Sequence, residues 1–210
     1  MSLPVRTVLV NYRNMEKTIA CIRALARMSV KPERVYLVDN ASTEESRSTF
    51  KKAFPQGRSE SFEIECFWNE NNIGFAAACN QGIRAAKQSG FEGFLWLLNN
   101  DTLPEPDALK ELLNVAVNTH AGITGSQIVD MQGNFAGGVG FVNSNYATVR
   151  RAASPEERGF NYVEGSSFLI SPDCLRKAGE LPEEYFLYFE ESDYCYRARL
   201  AGFDIAWATR

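Results

Sequence analysis

Within the first 120 residues an apolar run gives way to polar turn residues and then to a helix-spaced pattern, and this happens four times. The runs are Thr7-Val8-Leu9-Val10-Asn11-Tyr12, Arg34-Val35-Tyr36-Leu37-Val38, the alternating Phe62-Glu63-Ile64-Glu65-Cys66-Phe67-Trp68, and Leu95-Trp96-Leu97-Leu98. Strands that are apolar on both faces need helices on both sides, which is the condition of a mostly parallel sheet. Between them, Ile19, Ile22, Leu25 and Ala26 recur at helical spacing over residues 15–28. Ser42 or Thr43 offers an N-cap for a helix to about residue 53, and a third helix runs from Phe75 to about Ser89 with Gly90 as its C-cap. A fourth covers about residues 106–118. The alternation predicts an α/β, Rossmann-like doubly wound sheet flanked by helices, whose strand C-terminal ends share one ligand-binding rim. Asp39 and Asp101 each follow a strand, so both are placed on that rim.

After Gly122 the pattern changes to glycine-rich, β-leaning segments at 122–129, 135–142 and 147–151. Residues 163–170 read as a strand with a small-residue break, Pro172 opens a short helix, residues 182–189 are rich in aromatics, and 190–201 are helical. We therefore expect one domain over 1–210: about 1–120 a nucleotide-type half, and about 121–210 a second, mixed-sheet half on the same core. Phe203-Asp204-Ile205-Ala206-Trp207 reads as a strand three residues before the end, which leads us to expect a longer protein beyond Arg210.

Bulk properties exclude several classes. A net charge of −4 with no Lys/Arg block argues against nucleic acid as the partner. No apolar stretch approaches the roughly 20 residues of a membrane span. The five cysteines are scattered without a CxxC pair and read as reduced core thiols of a cytoplasmic protein. Gly138-Val139-Gly140 lacks the third glycine and the strand-to-helix context of a dinucleotide fingerprint, and no phosphate-binding GxxxxGK[ST] loop is present. One histidine, His120, rules out a histidine-based metal cluster; any metal would be held by oxygens, as Mg²⁺ or Mn²⁺ would be.

Carboxylates remain. Glu190-Glu191-Ser192-Asp193 opens the last helix after Tyr185-Phe186-Leu187-Tyr188-Phe189. Asp193 has Arg197 four residues on as an ion-pair partner, whereas Glu191 has none at that spacing. An unpaired carboxylate beside aromatic rings and like charges is the one whose pKa rises toward a general base's range.

Together these stretches resemble the family-2 glycosyltransferases of the GT-A fold, rhamnosyltransferase-like members in particular. The likeness rests on Val38-Asp39-Asn40-Ala41-Ser42, on Asn72-Ile73-Gly74-Phe75-Ala76-Ala77 with Asn80, and on Leu97-Leu98-Asn99-Asn100-Asp101-Thr102. It extends through Glu164-Gly165-Ser166-Ser167-Phe168-Leu169-Ile170 and Phe186 to Arg197. The resemblance implies an inverting enzyme that moves a sugar, rhamnose among the candidates, from a nucleoside diphosphate. The acceptor would be a saccharide or a lipid-linked glycan of the cell surface. It implies that Asp39, Asn72, Gly74, Asn100, Gly165 and Ser166 bind the nucleotide sugar. Asp101 would ligate Mg²⁺ or Mn²⁺, with Asn99 replacing the first acid of the family's metal motif. Glu191 would be the catalytic base, with Asp193 the other acid of the catalytic helix. The implied location is the cytoplasm, at the inner face of a bacterial plasma membrane, with any peripheral membrane contact made by residues outside this chain. The other class of reading is a non-catalytic nucleotide- or polysaccharide-binding GT-A module.

Overall fold

The computed structural model describes residues 3–143 and 148–209. The expected alternation is present as β1 (Val5–Asn11), α1 (Met15–Arg27), β2 (Arg34–Asn40), α2 (Glu44–Ala53), β3 (Glu63–Asn69), α3 (Phe75–Gln88), β4 (Phe94–Asn99) and α4 (Ala108–Thr119). Thr43 caps α2, its side chain accepting from the Ser46 N–H. The first turn of α4 starts later than expected, because the Pro106 carbonyl accepts the Ser29 N–H at 2.8 Å outside the helix. Ser89 is the C-cap of α3, and Gly90 follows it at φ +72, donating to the Lys87 carbonyl. A side chain there would strain the left-handed backbone, so the glycine acts one position beyond the expected cap.

The second half contributes β5 (Ile123–Ser126), β6 (Ile128–Val129), β7 (Phe135–Gly137), β8 (Val139–Asn143), β9 (Thr148–Arg151), β10 (Tyr162–Val163), β11 (Ser167–Ile170), α5 (Pro172–Ala178), α6 (Glu190–Leu200) and β12 (Ile205–Ala208). Of the strand expected from residue 147, Ala147 lies outside the described residues. The segment 135–142 holds two strands, β7 and the start of β8. Gly138 breaks it at φ +130, where a Cβ would collide with the Ser126 carbonyl oxygen and come within 2.9 Å of the Trp207 indole nitrogen. The Gly138 and Gly140 positions thus serve close packing of strands; a Cβ at Gly140 would lie 2.5 Å from the Arg150 carbonyl.

One seven-stranded sheet, ordered β12-β5-β11-β4-β1-β2-β3, runs through both halves. β11 is antiparallel to both neighbours, and the other pairings are parallel, giving the mixed, mostly parallel sheet that the pattern implied. Alternate residues feed two cores. Leu95, Leu97, Tyr36 and Val38 pack with α3, α5 and α6 on one face. Trp96, Leu98, Val35 and Leu37 pack with α1, α2 and α4 on the other. This two-sided burial explains why the strands read as unbroken apolar runs.

Helix α3 lies close on the sheet through Gly82, where a Cβ would stand 2.7 and 2.9 Å from the two methyls of Val8. Val8 is buried in the central strand and cannot withdraw. Gly82→Val is expected to lower stability by about 1–3 kcal/mol through overpacking. A urea-denaturation midpoint equal to that of the parent protein would contradict the close approach.

Candidate active site

The chain winds β1 to β2 to β3 in one direction and then places β4 on the other side of β1. The crevice outside β1 and β4 is therefore a topological switch point, where open α/β sheets bind ligands. Parallel register aligns Asn11 with Asp39, and Val10 with Asn99, so these strand ends share one rim.

Asn11 is fully buried at this rim. Its amide nitrogen donates to Asp39 Oδ2 and to Ser42 Oγ, both at 2.8 Å. Its oxygen accepts from Thr18 Oγ1 at 2.8 Å, from the Asn14 N–H at 3.3 Å and from Asn100 Nδ2 at 3.1 Å. Asp39 Oδ1 accepts the Ser42 N–H at 2.9 Å, closing the turn over Asn40 and Ala41. Asn100 also donates to Thr18 at 2.7 Å. The structure thus joins Asp39 and Asn100 through Asn11: Asp39 is enclosed, and Asn100 is half-buried at the surface of the network. Asn11, Thr18 and Ser42 were not among the residues expected at the site. Their only signal was polarity at the end of an apolar strand and within the first turns that follow.

Beside it, Asn40 Nδ2 donates to Asn72 Oδ1 at 2.6 Å, and Asn72 Oδ1 also accepts the Gly74 N–H at 3.0 Å. Gly74 has φ +88, and a Cβ there would lie 2.8 Å from the Phe186 carbonyl oxygen. That carbonyl accepts the Phe75 N–H at 2.9 Å, occupying one of the free donors at the start of α3. Asn72 and Gly74 therefore seat the aromatic segment against α3. Asn80 helps from within the helix, donating to the Leu181 carbonyl and Glu183 and accepting the Leu181 N–H, all at 2.9 Å.

The aromatic segment leads into α6 through Tyr188 (φ +71) and Phe189 (φ +73). Arg13 and Ala41, in the turns after β1 and β2, are left-handed too. Such backbone costs about 1–3 kcal/mol per residue and persists where surroundings enforce it, often at functional sites. In α6 the acids part company. Asp193 Oδ1 is ion-paired with Arg197 Nε at 3.0 Å, and its Oδ2 accepts from the Tyr185 hydroxyl at 3.3 Å, so it braces the segment. Glu190 is 4% exposed and its Oε2 has no hydrogen-bond partner. Burial pushes its carboxyl up to about 7, with Glu191 adding to the effect. Glu191 is half-buried with Oε2 unpartnered, and burial, then the neighbouring Glu164 charge, raises it above the usual carboxylate range. A Cβ placed on Gly165 would stand 3.9 Å from both Glu191 Cβ and the Phe75 ring. Gly165 is therefore not forced by crowding; a Cβ there would make ordinary contact with both Glu191 and Phe75, so the glycine leaves about a methyl group's room between them. Ser166 next to it has a buried Oγ with no partner, while its carbonyl accepts the Asn99 N–H at 3.1 Å.

The sequence profile described as Glycosyltransferase like family 2 matches residues 4–210. The chain belongs to that family. The family-2 chain is 26% identical over 205 residues to the low-salt glycan biosynthesis hexosyltransferase Agl10 of Haloferax volcanii, a match covering 94% of the chain and 62% of the relative. It thus spans about three-fifths of that relative's length. Among solved structures, the Pyrobaculum calidifontis mannosyltransferase PcManGT, in complex with GDP-Man and Mn²⁺, has a TM-score of 0.71 at 13% identity over 100% of this chain and 57% of its own. GalNAc-T7 with UDP, GalNAc and Mn²⁺ has 0.73 at 13% identity (99% and 44%). S. aureus TarS with UDP-GlcNAc has 0.65 at 17% identity (99% and 59%). At such identities the likeness is one of fold, and the fold is GT-A.

In this family-2 chain Asp101 stands exposed after β4 with a counter-charge beside it: Lys17 Nζ of α1 lies 3.7 Å from Oδ2. The lysine precedes it by a whole βαβα stretch, so no local spacing announces the contact. Among the described residues no group of three His, Cys, Asp or Glu gathers to hold a metal. An exposed carboxylate at the switch point still fits Mg²⁺ or Mn²⁺, hard cations that commonly take one carboxylate and complete their shell with substrate phosphates and water.

Glu190 gives the site a measurable pH signature. Its folded pKa lies above its ordinary 4.5, so the folded state holds a proton that the unfolded chain has released. Stability from this group is full below about pH 4.5 and is lost as pH rises through about 7. Denaturation between pH 5 and pH 8 is expected to show a fall of about 1–3 kcal/mol, much of it absent in Glu190→Gln. A Glu190→Gln profile parallel to that of the parent would contradict this.

Proposed function

We propose that the chain is the transferase domain of an inverting glycosyltransferase. It would move a hexose-type sugar, rhamnose in the narrowest version, from a nucleoside diphosphate to a saccharide or lipid-linked acceptor in cell-surface polysaccharide synthesis. The observation that carries this reading is Glu191: an unpaired carboxylate, raised by burial, against Gly165, whose neighbour Ser166 bonds the Asn99 N–H at the switch-point rim. Family membership and the curated hexosyltransferase relative support the reaction class. The Mn²⁺ and nucleotide sugars bound by the similar structures support the donor class.

The acceptor hydroxyl gives its proton to Glu191 as its oxygen bonds to the anomeric carbon. The bond from that carbon to the diphosphate breaks, and the electron pair leaves with the phosphate. Asn100 and the Asp39–Asn11 network hold the nucleotide side, and Asn72 and Gly74 shape the wall next to it. The open face of Gly165 and the free Ser166 hydroxyl meet the sugar. A divalent cation on Asp101, when bound, offsets charge on the leaving diphosphate. Asp193 keeps the catalytic helix and its aromatic lead-in in place through Arg197 and Tyr185. The reading carries a cytoplasmic location at the inner membrane face; among the described residues no helix is long and apolar enough to cross a membrane.

Two measurements test it. Glu191→Gln is expected to lower turnover about 10²–10⁴-fold with donor binding retained, whereas Asp193→Asn mainly loses stability. Normal turnover in Glu191→Gln together with its abolition in a folded Asp193→Asn would reverse the two roles. Nucleoside diphosphates with and without Mn²⁺ are also expected to raise the melting temperature, since a ligand at 100 times its Kd adds about 2.7 kcal/mol. No shift with any of them would favour the non-catalytic reading.

A further inference from the structure

Glu164 immediately precedes Gly165 and enters none of the roles above. It is 9% exposed, and its backbone N–H is fixed on the Gly138 carbonyl at 3.0 Å. Its Oε1 is buried without a hydrogen-bond partner and lies 3.4 Å from Arg151 Nε, whose side chain is 71% exposed. On its other side the carboxylate presses on bare backbone: a Cβ on Gly137 would stand 2.7 Å from Oε1. A buried carboxylate held by one exposed arginine is costly, and such arrangements are kept where they do something besides stabilise.

We propose that Glu164 is a positioning residue for the base, its enclosed negative charge, partly balanced by Arg151, setting how readily Glu191 takes the acceptor's proton. This rests on reading Glu191 as that base. The residues on either side of Glu164 both touch the helix that carries Glu191: the Val163 N–H donates to Cys195 Sγ at 3.4 Å, and a Cβ on Gly165 would stand 3.9 Å from Glu191 Cβ. Both carboxylates act on the Tyr162 phenol, which burial pushes up to about 12 with Glu164 and then Glu191 adding to the rise. The charged and titratable groups facing Glu191 are Glu164 from the loop after β10, Arg151 from β9, Tyr162 from β10, and Glu190 and Cys195 from α6. Of these, Glu164 raises Glu191 and Arg151 lowers it, after burial itself. Glu164 is raised by burial and drawn back by the Gly138 backbone and Arg151, so the arginine adjusts both acids.

The sign follows directly. Removing the Glu164 charge relieves repulsion on ionised Glu191 and moves the acid limb of kcat/KM to lower pH. Removing Arg151 moves it to higher pH. In Glu164→Gln the limb is expected to fall by roughly half a unit to one unit, the low end of what a neighbouring charge does. Relative rates well below the limb would then be about 3- to 10-fold above those of the parent protein. Arg151→Met is expected to shift the limb the opposite way, and the exposure of its side chain keeps this variant informative if Glu164→Gln does not fold. Carboxyl-¹³C NMR titration, with the Glu191 resonance assigned by its loss in Glu191→Gln, reads the same shifts without turnover. If Glu191 titrates at the parent pH in the folded variants, the proposal is overturned whatever the base is. If Glu191→Gln keeps turnover while the NMR shifts appear, the base assignment fails and the coupling stands.

Discussion

The rim of this sheet is organised by one buried amide. Asn11 ends the central strand and satisfies Asp39, Ser42, Thr18, Asn14 and Asn100 at once, tying the turns after β1, β2 and β4 and the first turns of α1 into one network. Inside protein such bonds are stronger than in water, and an orphaned partner is correspondingly costly. Losing the amide would leave the buried Asp39 Oδ2 without its donor and take one of two donors from the Ser42 hydroxyl oxygen. The register that stops β1 and β2 at the same height is therefore held by side chains as well as by the backbone ladder, and the strain at Arg13 and Ala41 is retained because the network leaves those turns no alternative.

The opposite wall works by withholding partners. Glu164, Glu190 and Glu191 each have a buried oxygen without a hydrogen bond; Asp193, in the same helix as the latter two, has one as well, but that oxygen is ion-paired with Arg197 at 3.0 Å and its other oxygen accepts from Tyr185. Four acids of similar intrinsic chemistry are thus divided by environment into an ion-paired brace and three carboxyls raised above their ordinary range. The chain enters α6 through the left-handed Phe189, and in the first turn that follows Glu190 is buried while Glu191 lies against Gly165.

The βαβα half was legible because each strand is buried on both faces and each turn follows an apolar run, so periodicity and chemistry agree. The second half was less so. Gly137 and Gly138 look like ordinary strand glycines until the Ser126 carbonyl and Glu164 carboxylate are seen against them. Among site residues, the pairing of Asp193 with Arg197 followed from helical spacing. The Lys17 contact of Asp101 joins residues distant in sequence, and the burial of Glu190 follows two left-handed residues, Tyr188 and Phe189, that no sequence pattern announces. Glu164 stood in a recognised stretch, but an acid one residue from a glycine carries no signal of depth.

The position of β11 has a consequence for how the chain is made. It is the antiparallel strand between β4 and β5, pairing Phe168 with both Leu97 and Gly125. During synthesis, β1 to β4 are complete long before residue 167 exists, yet the outer edge of β4 has no strand to pair with until then. A long, apolar strand with a bare edge is a template for pairing with other chains. The nascent protein therefore passes through a stage of some 70 residues, between the end of β4 at Asn99 and the completion of β11 at Ile170, in which its most hydrophobic strand is an open edge. Closing it waits on a late, sequence-distant contact of the kind that slows folding.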